Sequence, residues 1–185
     1  MAAQRVSLTG KERTFGEHEL IVSKTDLTGK ITYANDVFVR VSGYSEAELI
    51  GAPHSILRHP DMPRCVFKLL WDTIAARQEV FAYVINTCKN GDHYWVFAHV
   101  TPSYDIHGAH VGYHSNRRVP HADAIAKVKP LYATLLSVEA AVSDRKASVD
   151  AGTAAVVATL KDLKLTYSQF VFGLSASTRL DAEAA

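Results

Sequence analysis

The sequence predicts an α+β fold, in which a five-stranded antiparallel sheet carries helices on one face and is followed by C-terminal helices. Two short β-prone segments open the ordered part of the chain, several helical patterns come next, and three longer β-rich stretches follow. After residue 118 the composition shifts to Ala, Val, Leu, Lys and Asp, which favours helices. We therefore expect a flexible N-terminal tail or cap over residues 1–18, a sheet domain over 19–119 and a helical connector, dimerisation or output segment over 120–185.

The first two strands are predicted at Leu20 to Thr25 and at Lys30 to Ala34. They are joined by a turn that ends in Gly29, which supplies the positive φ of a tight hairpin. A helical pattern with apolar residues on one face follows directly and stops at Gly43, a favourable C-terminal residue.

The next segment contains two helix starts. Ser45 and Glu48 have the spacing of a capping box and predict a short helix that stops at Gly51. Prolines then exclude regular structure up to Pro63, which suits the first turn of a longer helix predicted from Arg64 to Arg77.

Three longer strands are predicted at Val80 to Cys88, His93 to Pro102 and Ala109 to Arg118. Turn sequences at residues 89–92 and 105–108 separate them. The sheet and the helices before it would enclose a cavity large enough for a planar heterocycle.

The C-terminal segment shows helical spacing, with a break or kink predicted at Pro130. A further helix is predicted to start near Asp150. Its apolar residues alternate in steps of four and three and form a heptad-like stripe: Val156, Leu160, Leu163, Tyr167, Phe170 and Leu174. Such a stripe has to be buried, either as a hairpin on the preceding helix or against a second chain.

Composition narrows the class of protein. A net charge of +1 over 185 residues suggests neither a nucleic acid nor an anionic membrane as partner. No apolar run is long enough to span a bilayer, and the N-terminus has no signal-peptide core, so we expect a cytoplasmic protein. Cys65 and Cys88 form no CxxC pattern, which predicts neither a metal site nor a disulfide scaffold. Catalytic motifs such as GxSxG, a P-loop or HExxH do not occur, so we do not expect an enzyme.

The most specific motif is the loop Arg58-His59-Pro60-Asp61-Met62-Pro63, which crowds three charged or titratable groups between prolines. Taken alone, it is equally well explained as a surface loop with a local ion pair. Three further features accompany it: Asn35-Asp36, Trp71 and the run from Asn90 to Trp95. Together these motifs resemble the PAS sensory domain of bacterial aerotaxis receptors, over residues 20 to about 135.

This resemblance implies non-covalently bound FAD, sensing of redox state or oxygen, and signalling to a chemotaxis receptor or kinase-type partner. Independently of the resemblance, we expect a homodimer formed through the N-terminal or C-terminal helices. The residues implied to support FAD binding are Asn35, Arg58, His59, Asp61, Trp71 and Asn86. Arg58 suits a pyrophosphate, Trp71 suits the wall of a ring pocket, and the amide of Asn86 suits a ring whose protonation changes.

Other functions remain open at this point. Blue-light adduct chemistry needs a cysteine a few residues after Gly51, where this chain has His54, so it is not expected. A haem-binding gas sensor has many histidines available as ligands but no attachment motif. A cofactor-free PAS module for dimerisation or interaction is the third alternative, although a purely structural core has no need of the polar loop from Arg58 to Asp61.

Overall fold

The computed structural model describes residues 6–182 and contains one antiparallel sheet. Its strands are β1 (Ile21–Thr25), β2 (Ile31–Ala34), β3 (Val80–Thr87), β4 (His93–Tyr104) and β5 (His110–Arg118). They are ordered β2-β1-β5-β4-β3 across the sheet, so β5 lies in the centre beside β1 and β4. The predicted five-stranded α+β fold is confirmed, and every strand boundary lies within two residues of its predicted position.

The helices between β2 and β3 pack on one face of the sheet, which we call the inner face. They are α1 (Asp36–Ser42), α2 (Glu46–Leu49), a 3₁₀ turn (His54–Leu57) and α3 (Arg64–Ala75). Local chemistry fixes their ends as expected. Gly43 ends α1 with a positive φ of 74°, and the capping box of Ser45 and Glu48 starts α2.

The C-terminal segment forms α4 (Ala122–Ala140), α5 (Arg145–Asp162) and α6 (Tyr167–Ala182). The predicted break at Pro130 is wrong, because α4 continues through it. Pro130 lies on the exposed side of α4, while Val128, Tyr132 and Leu135 on the other side are buried. Packing along this buried side offsets the roughly 3 kcal/mol that an interior proline costs a helix.

The prediction of one helix starting near Asp150 and carrying the whole stripe is also wrong. Capped by Asp144, α5 begins at Arg145, five residues earlier than expected, and Lys164 adopts a positive φ of 55° that ends the helical run. A second capping box then starts α6, since the hydroxyl of Thr166 accepts from the Gln169 N–H at 3.2 Å and the Thr166 N–H donates to Gln169 Oε1 at 2.9 Å.

The heptad-like stripe is therefore folded on itself within one chain. Val156 and Leu160 of α5 line the same apolar space as the three stripe residues of α6, together with residues of α4 and the side chains of Val66 and Tyr83. Leu163 falls at the bend and is 51% exposed. Of the two ways to bury the stripe, the described residues show the hairpin.

The C-terminal helices also cover the outer face of β3 and β4. Trp95 of β4 packs against Tyr132 of α4, with ring centroids 6.1 Å apart, and Phe172 of α6 lies 4.7 Å from the ring of Phe81. The sheet thus has helices on both faces, with α5 packed against α3 and α4. Within residues 6–182, no helix combines the length and apolar character needed to cross a membrane.

The N-terminal segment lies against the turn between β3 and β4. The Thr9 N–H donates to the Gly91 carbonyl at 3.0 Å, and the Arg13 N–H donates to the His93 carbonyl at 2.7 Å. Arg13 also forms an ion pair with Asp92 at 2.9 Å. The side chains that donate hydrogen bonds to Asp92, Thr9 foremost, hold the pKa of this carboxyl far below its usual range.

Candidate functional site

A cavity lies between α3 and the inner face of the sheet. Its enclosed part measures about 70 Å³ and its walls are mainly apolar. Six polar or charged residues interrupt these walls: Ser23, Thr25, His54, Asn86, Ser115 and Arg117. Apolar walls with a few converging polar groups are typical of cofactor pockets.

A mouth of about 220 Å³ adjoins the enclosed part. The two spaces share four lining residues, which form the partition between them: His54, Phe67, Trp71 and Asn86. Joined by movement of these side chains, the two spaces would approach the lower end of the range of about 300–1,000 Å³ found for ligand pockets. A planar ring would therefore have to displace part of this partition.

Trp71 is the largest side chain in the partition. Its indole packs edge-on against the ring of Tyr113, with centroids 5.6 Å apart. On the mouth side it lies directly over Gly29, where an added Cβ would be 2.8 Å from the indole ring. Gly29 also has a φ of +80°, so both the hairpin turn and the close approach of Trp71 require glycine at this position.

The most unusual polar group of the cavity is Arg117, which is only 2% exposed. One terminal N–H donates to the hydroxyl of Ser23, another lies 3.5 Å from His54 Nε2, and the guanidinium stacks over Phe38 at 4.5 Å. Its Nε–H has no partner, and no carboxylate among the described residues pairs with it. Burial lowers the pKa of Arg117 to about 10, which leaves it cationic at neutral pH.

His54 is held neutral beside this cation. Burial, and then the positive charge of Arg117, lower the pKa of His54 to about 3. A neutral imidazole can accept the Arg117 N–H at Nε2 only if its own proton is on Nδ1. The pair therefore presents one fixed positive charge and one neutral ring to the cavity.

Two further polar groups face the same space. Asn86 of β3 is buried and lines both the cavity and the mouth. The Oγ1 of Thr25, another lining residue, is buried without a hydrogen-bond partner. Unpartnered buried polar groups are uncommon in folded proteins, and here two of them line one cavity.

The structure brings three of the six sequence-predicted binding residues together. Trp71 and Asn86 line the cavity and the mouth, and Arg58 lines the mouth with its guanidinium 4.3 Å above the ring of Phe67. A β-bridge between Arg58 and Asn86 attaches the loop to the sheet at this point.

The other three lie away from the cavity. Asn35 caps α1, since its Oδ1 accepts from the N–H groups of Val22 and Phe38 at 3.0 and 3.1 Å. His59 is buried and its Nδ1 accepts the Asp61 N–H at 3.1 Å, while the Asp61 side chain is 72% exposed. His59 and Asp61 line a groove over the outer face of the sheet. Their roles in binding remain predictions.

Sequence reasoning missed Arg117 and His54. A signal for Arg117 is present in the strand pattern, because Tyr113, Ser115 and Arg117 alternate onto one face of a central strand. An arginine in that register is an exception to the rule that unpaired charges stay in water. His54 carries no comparable signal, because it lies in an irregular segment.

Comparisons with protein families and with curated proteins both find relatives of this chain. The family model described as PAS fold matches residues 21–115. The aerotaxis receptor of Escherichia coli K12 is 42% identical over 128 residues, which is 69% of this chain and 25% of the receptor. A nitrogen fixation regulatory protein of Klebsiella pneumoniae is 34% identical over 87 residues, or 47% of this chain and 18% of that protein. The chain thus spans a quarter or less of the length of these relatives.

Solved structures share the architecture at lower identity. A PAS domain from Colwellia psychrerythraea superimposes with a TM-score of 0.50 at 22% identity, covering 55% of this chain and 86% of that one. The dark structure of the blue-light photoreceptor Aureochrome1 LOV gives a TM-score of 0.50 at 23% identity, covering 63% and 84%. At these identities the likeness concerns the fold alone.

Proposed function

Because this chain belongs to the PAS family, we propose that it is a sensor domain that binds FAD between α3 and the sheet. In this proposal it detects redox state or oxygen and signals to a chemotaxis-type partner. The observation that carries the proposal is the buried, unpaired Arg117 in the cavity wall. The 42% identity with the aerotaxis receptor supports the class of stimulus and of partner.

The residues of the cavity fit a flavin. A bound flavin supplies a planar ring that takes up electrons and, with them, negative charge. Arg117 retains a free N–H inside an apolar wall, so it would donate to an electronegative ring edge and balance that charge. Asn86 offers both a donor and an acceptor, and Phe67 and Trp71 provide flat apolar contacts.

A route from the cavity to the C-terminal helices runs through α3. The buried carboxylate of Glu139, on α4, accepts the Cys65 N–H at 2.7 Å and both the backbone N–H and the Nε–H of Arg64 at 3.1 Å. Since α3 also carries Phe67 and Trp71, a shift of these side chains would pull on α4 through Glu139. We propose this joint as the output path.

One observation favours a second candidate, a cofactor-free PAS module used for dimerisation or interaction. The enclosed part of the cavity, about 70 Å³, is much smaller than a cofactor. No comparable observation favours haem. His54 is the histidine that lines the cavity within the described residues, and its Nε2 faces the guanidinium of Arg117 rather than an open space.

The absorption spectrum of the purified protein tests the proposal. We expect bands near about 450 nm that bleach on reduction with dithionite, and FAD on chromatography of the released chromophore. If the protein is colourless, the same test is made after incubation of the apoprotein with FAD. A Soret band, or failure to take up any flavin, would contradict the proposal.

A further inference from the structure

We propose that Arg145, the first residue of α5, forms a phosphate-binding pair with Arg58 at the mouth of the cavity. The pair would make affinity depend on the phosphate groups of a flavin nucleotide. This inference rests on the proposed flavin function and extends it to a residue of the C-terminal helices, outside the part of the chain that matches the PAS family.

Arg58 is a cation without a counter-charge. Among the side chains that the structure describes, that of Arg58 has no ion-pair or hydrogen-bond partner, and its guanidinium stacks over Phe67 at 4.3 Å. It lines the mouth beside Thr28 and Ser55, two hydroxyl residues that suit the polar chain of a nucleotide. All of its guanidinium N–H donors therefore remain available to a ligand.

Helix contacts bring the start of α5 close to α3, whose Phe67 lines the mouth. Arg64 Nη2 donates to the hydroxyl of Ser148 at 2.7 Å, so the first turn of α5 lies against the first turn of α3. Arg145 precedes Ser148 by three residues and Arg64 precedes Phe67 by three, which puts each pair on one side of its helix. Arg145 thus lies one helical turn from this contact, close to the helix whose Phe67 stacks with Arg58.

The electrostatics agree with this placement. Burial first, and then the positive charges of Arg145 and Arg64, lower the pKa of Arg58. Arg64 is compensated by Glu139, at 3.1 Å. Arg58 and Arg145 have no such partner among the described residues, so the repulsion between their charges is not compensated.

The nearby carboxylates are engaged or face elsewhere. Asp144 accepts the Ala147 N–H as the cap of α5, and Asp61 lines the groove on the outer face of the sheet. An anion placed between the two arginines would remove their repulsion and accept hydrogen bonds from both. Guanidinium groups bind phosphate oxygens in this bidentate manner.

Three flavins that share one ring system but differ in phosphate separate this inference from the proposed function. Riboflavin has no phosphate, FMN has one and FAD has two. The full chain, freed of cofactor, is titrated with each flavin by fluorescence quenching at low and high salt. The variants are Arg145→Ala and the matched control Lys146→Ala, which removes the neighbouring exposed cation.

We expect the wild type to bind FMN and FAD at least about tenfold more tightly than riboflavin. Arg145→Ala should weaken FMN and FAD binding about tenfold and leave riboflavin binding within twofold, while Lys146→Ala leaves all three within about twofold. High salt should narrow the difference between the phosphorylated flavins and riboflavin.

Equal affinity for the three flavins would overturn the inference, as would unchanged FAD affinity in Arg145→Ala. Either result would leave the proposed flavin site intact, because the ring would still bind. Binding of none of the three flavins is a different result, which contradicts the proposed function and this inference with it.

Discussion

At the scale of single residues, the most distinctive feature of the cavity is the buried positive charge of Arg117. Placing Arg117 in an apolar wall without a carboxylate costs free energy that an apolar side chain of similar size would not cost. Its partners, Ser23 and His54, are neutral. Such a cation is expected where a ligand, rather than the fold, needs it.

Replacement of Arg117 by Met should therefore have opposite effects on folding and on binding. We expect the free energy of unfolding of the apoprotein, from urea denaturation, to stay unchanged or to rise by about 1–2 kcal/mol. Flavin affinity should fall at least about tenfold. Arg118→Met is the matched control, because Arg118 is the next residue along β5 and is exposed. A large loss of stability without loss of affinity would assign Arg117 to the fold alone.

His54 should make stability depend on pH. In the folded state, burial and the charge of Arg117 lower the pKa of His54 from 6.5 to about 3. Between these two pH values His54 is therefore protonated in the unfolded chain and neutral in the folded chain. This contribution to stability is complete above pH 6.5 and is lost as the pH falls towards 3. At pH 5 the loss should be at most about 2 kcal/mol relative to pH 7.

The measurement is urea denaturation at pH 7 and pH 5 for the wild type, His54→Gln and the control His107→Gln, whose histidine is exposed in the turn between β4 and β5. His54→Gln should lose less stability between the two pH values than the wild type. Equal losses in all three proteins would show that folding does not lower the pKa of His54, so that it is protonated in the folded state at pH 5.

At the scale of elements, the sequence predicted well those elements whose ends are determined by short-range interactions. Turns, caps and strand alternation act over a few residues, so β1 to β5 and α1 to α3 could be located. The errors at Pro130 and along the stripe arose where packing between distant segments decided the outcome. The sequence analysis missed a local signal for the start of α6, since Thr166 and Gln169 have capping-box spacing.

The contact that joins α4 to α3, between Glu139 and the residues Arg64 and Cys65, should contribute measurably to stability. Burial works to raise the pKa of Glu139, but hydrogen bonds from Cys65 and Arg64 outweigh it, so this pKa lies below its ordinary value. Glu139 therefore stabilises the fold above its unfolded-state pKa near 4.5, and this contribution is lost as the pH falls through its lower folded-state value.

Glu139→Ala should lower the free energy of unfolding by about 2–4 kcal/mol, because it leaves donors at the start of α3 unpaired. Glu139→Gln keeps one acceptor and should cost less. Thermal and urea denaturation measure both, with Glu17→Ala as an exposed control. A loss no greater than in the control would show that the joint does not hold the two helices together.

The hairpin between β1 and β2 offers a test of the Trp71 partition. Gly29→Ala adds a Cβ 2.8 Å from the indole, at a φ of +80°. Gly108→Ala is a matched control, since Gly108 has a φ of +78° and open space around it. Both should lose about 1–2 kcal/mol to backbone strain. Only Gly29→Ala should in addition change flavin affinity and Trp71 fluorescence, and equal behaviour of the two variants would contradict the contact.

At the scale of the whole molecule, the sheet separates the cavity from the C-terminal helices α4 and α6. Its inner face and α3 form the cavity, whereas its outer face carries α4 and α6. The sequence located Trp71, Asn86 and Arg58 at the cavity through a family resemblance. It could not predict the contacts of Glu139 and of the start of α5 with α3, because these depend on how α4 and α5 fold back over α3.

Sensing requires that the redox state at the cavity changes the structure of the C-terminal helices. Hydrogen exchange of the flavin-loaded protein, oxidised and then reduced without oxygen, measures this change directly. We expect reduction to alter exchange at the start of α3 and where α4 meets α5, and Glu139→Gln to suppress the change in α4 and α5 but not in the cavity strands. Identical exchange of α4 and α5 in the two states of the wild type would contradict a sensor that signals through these helices.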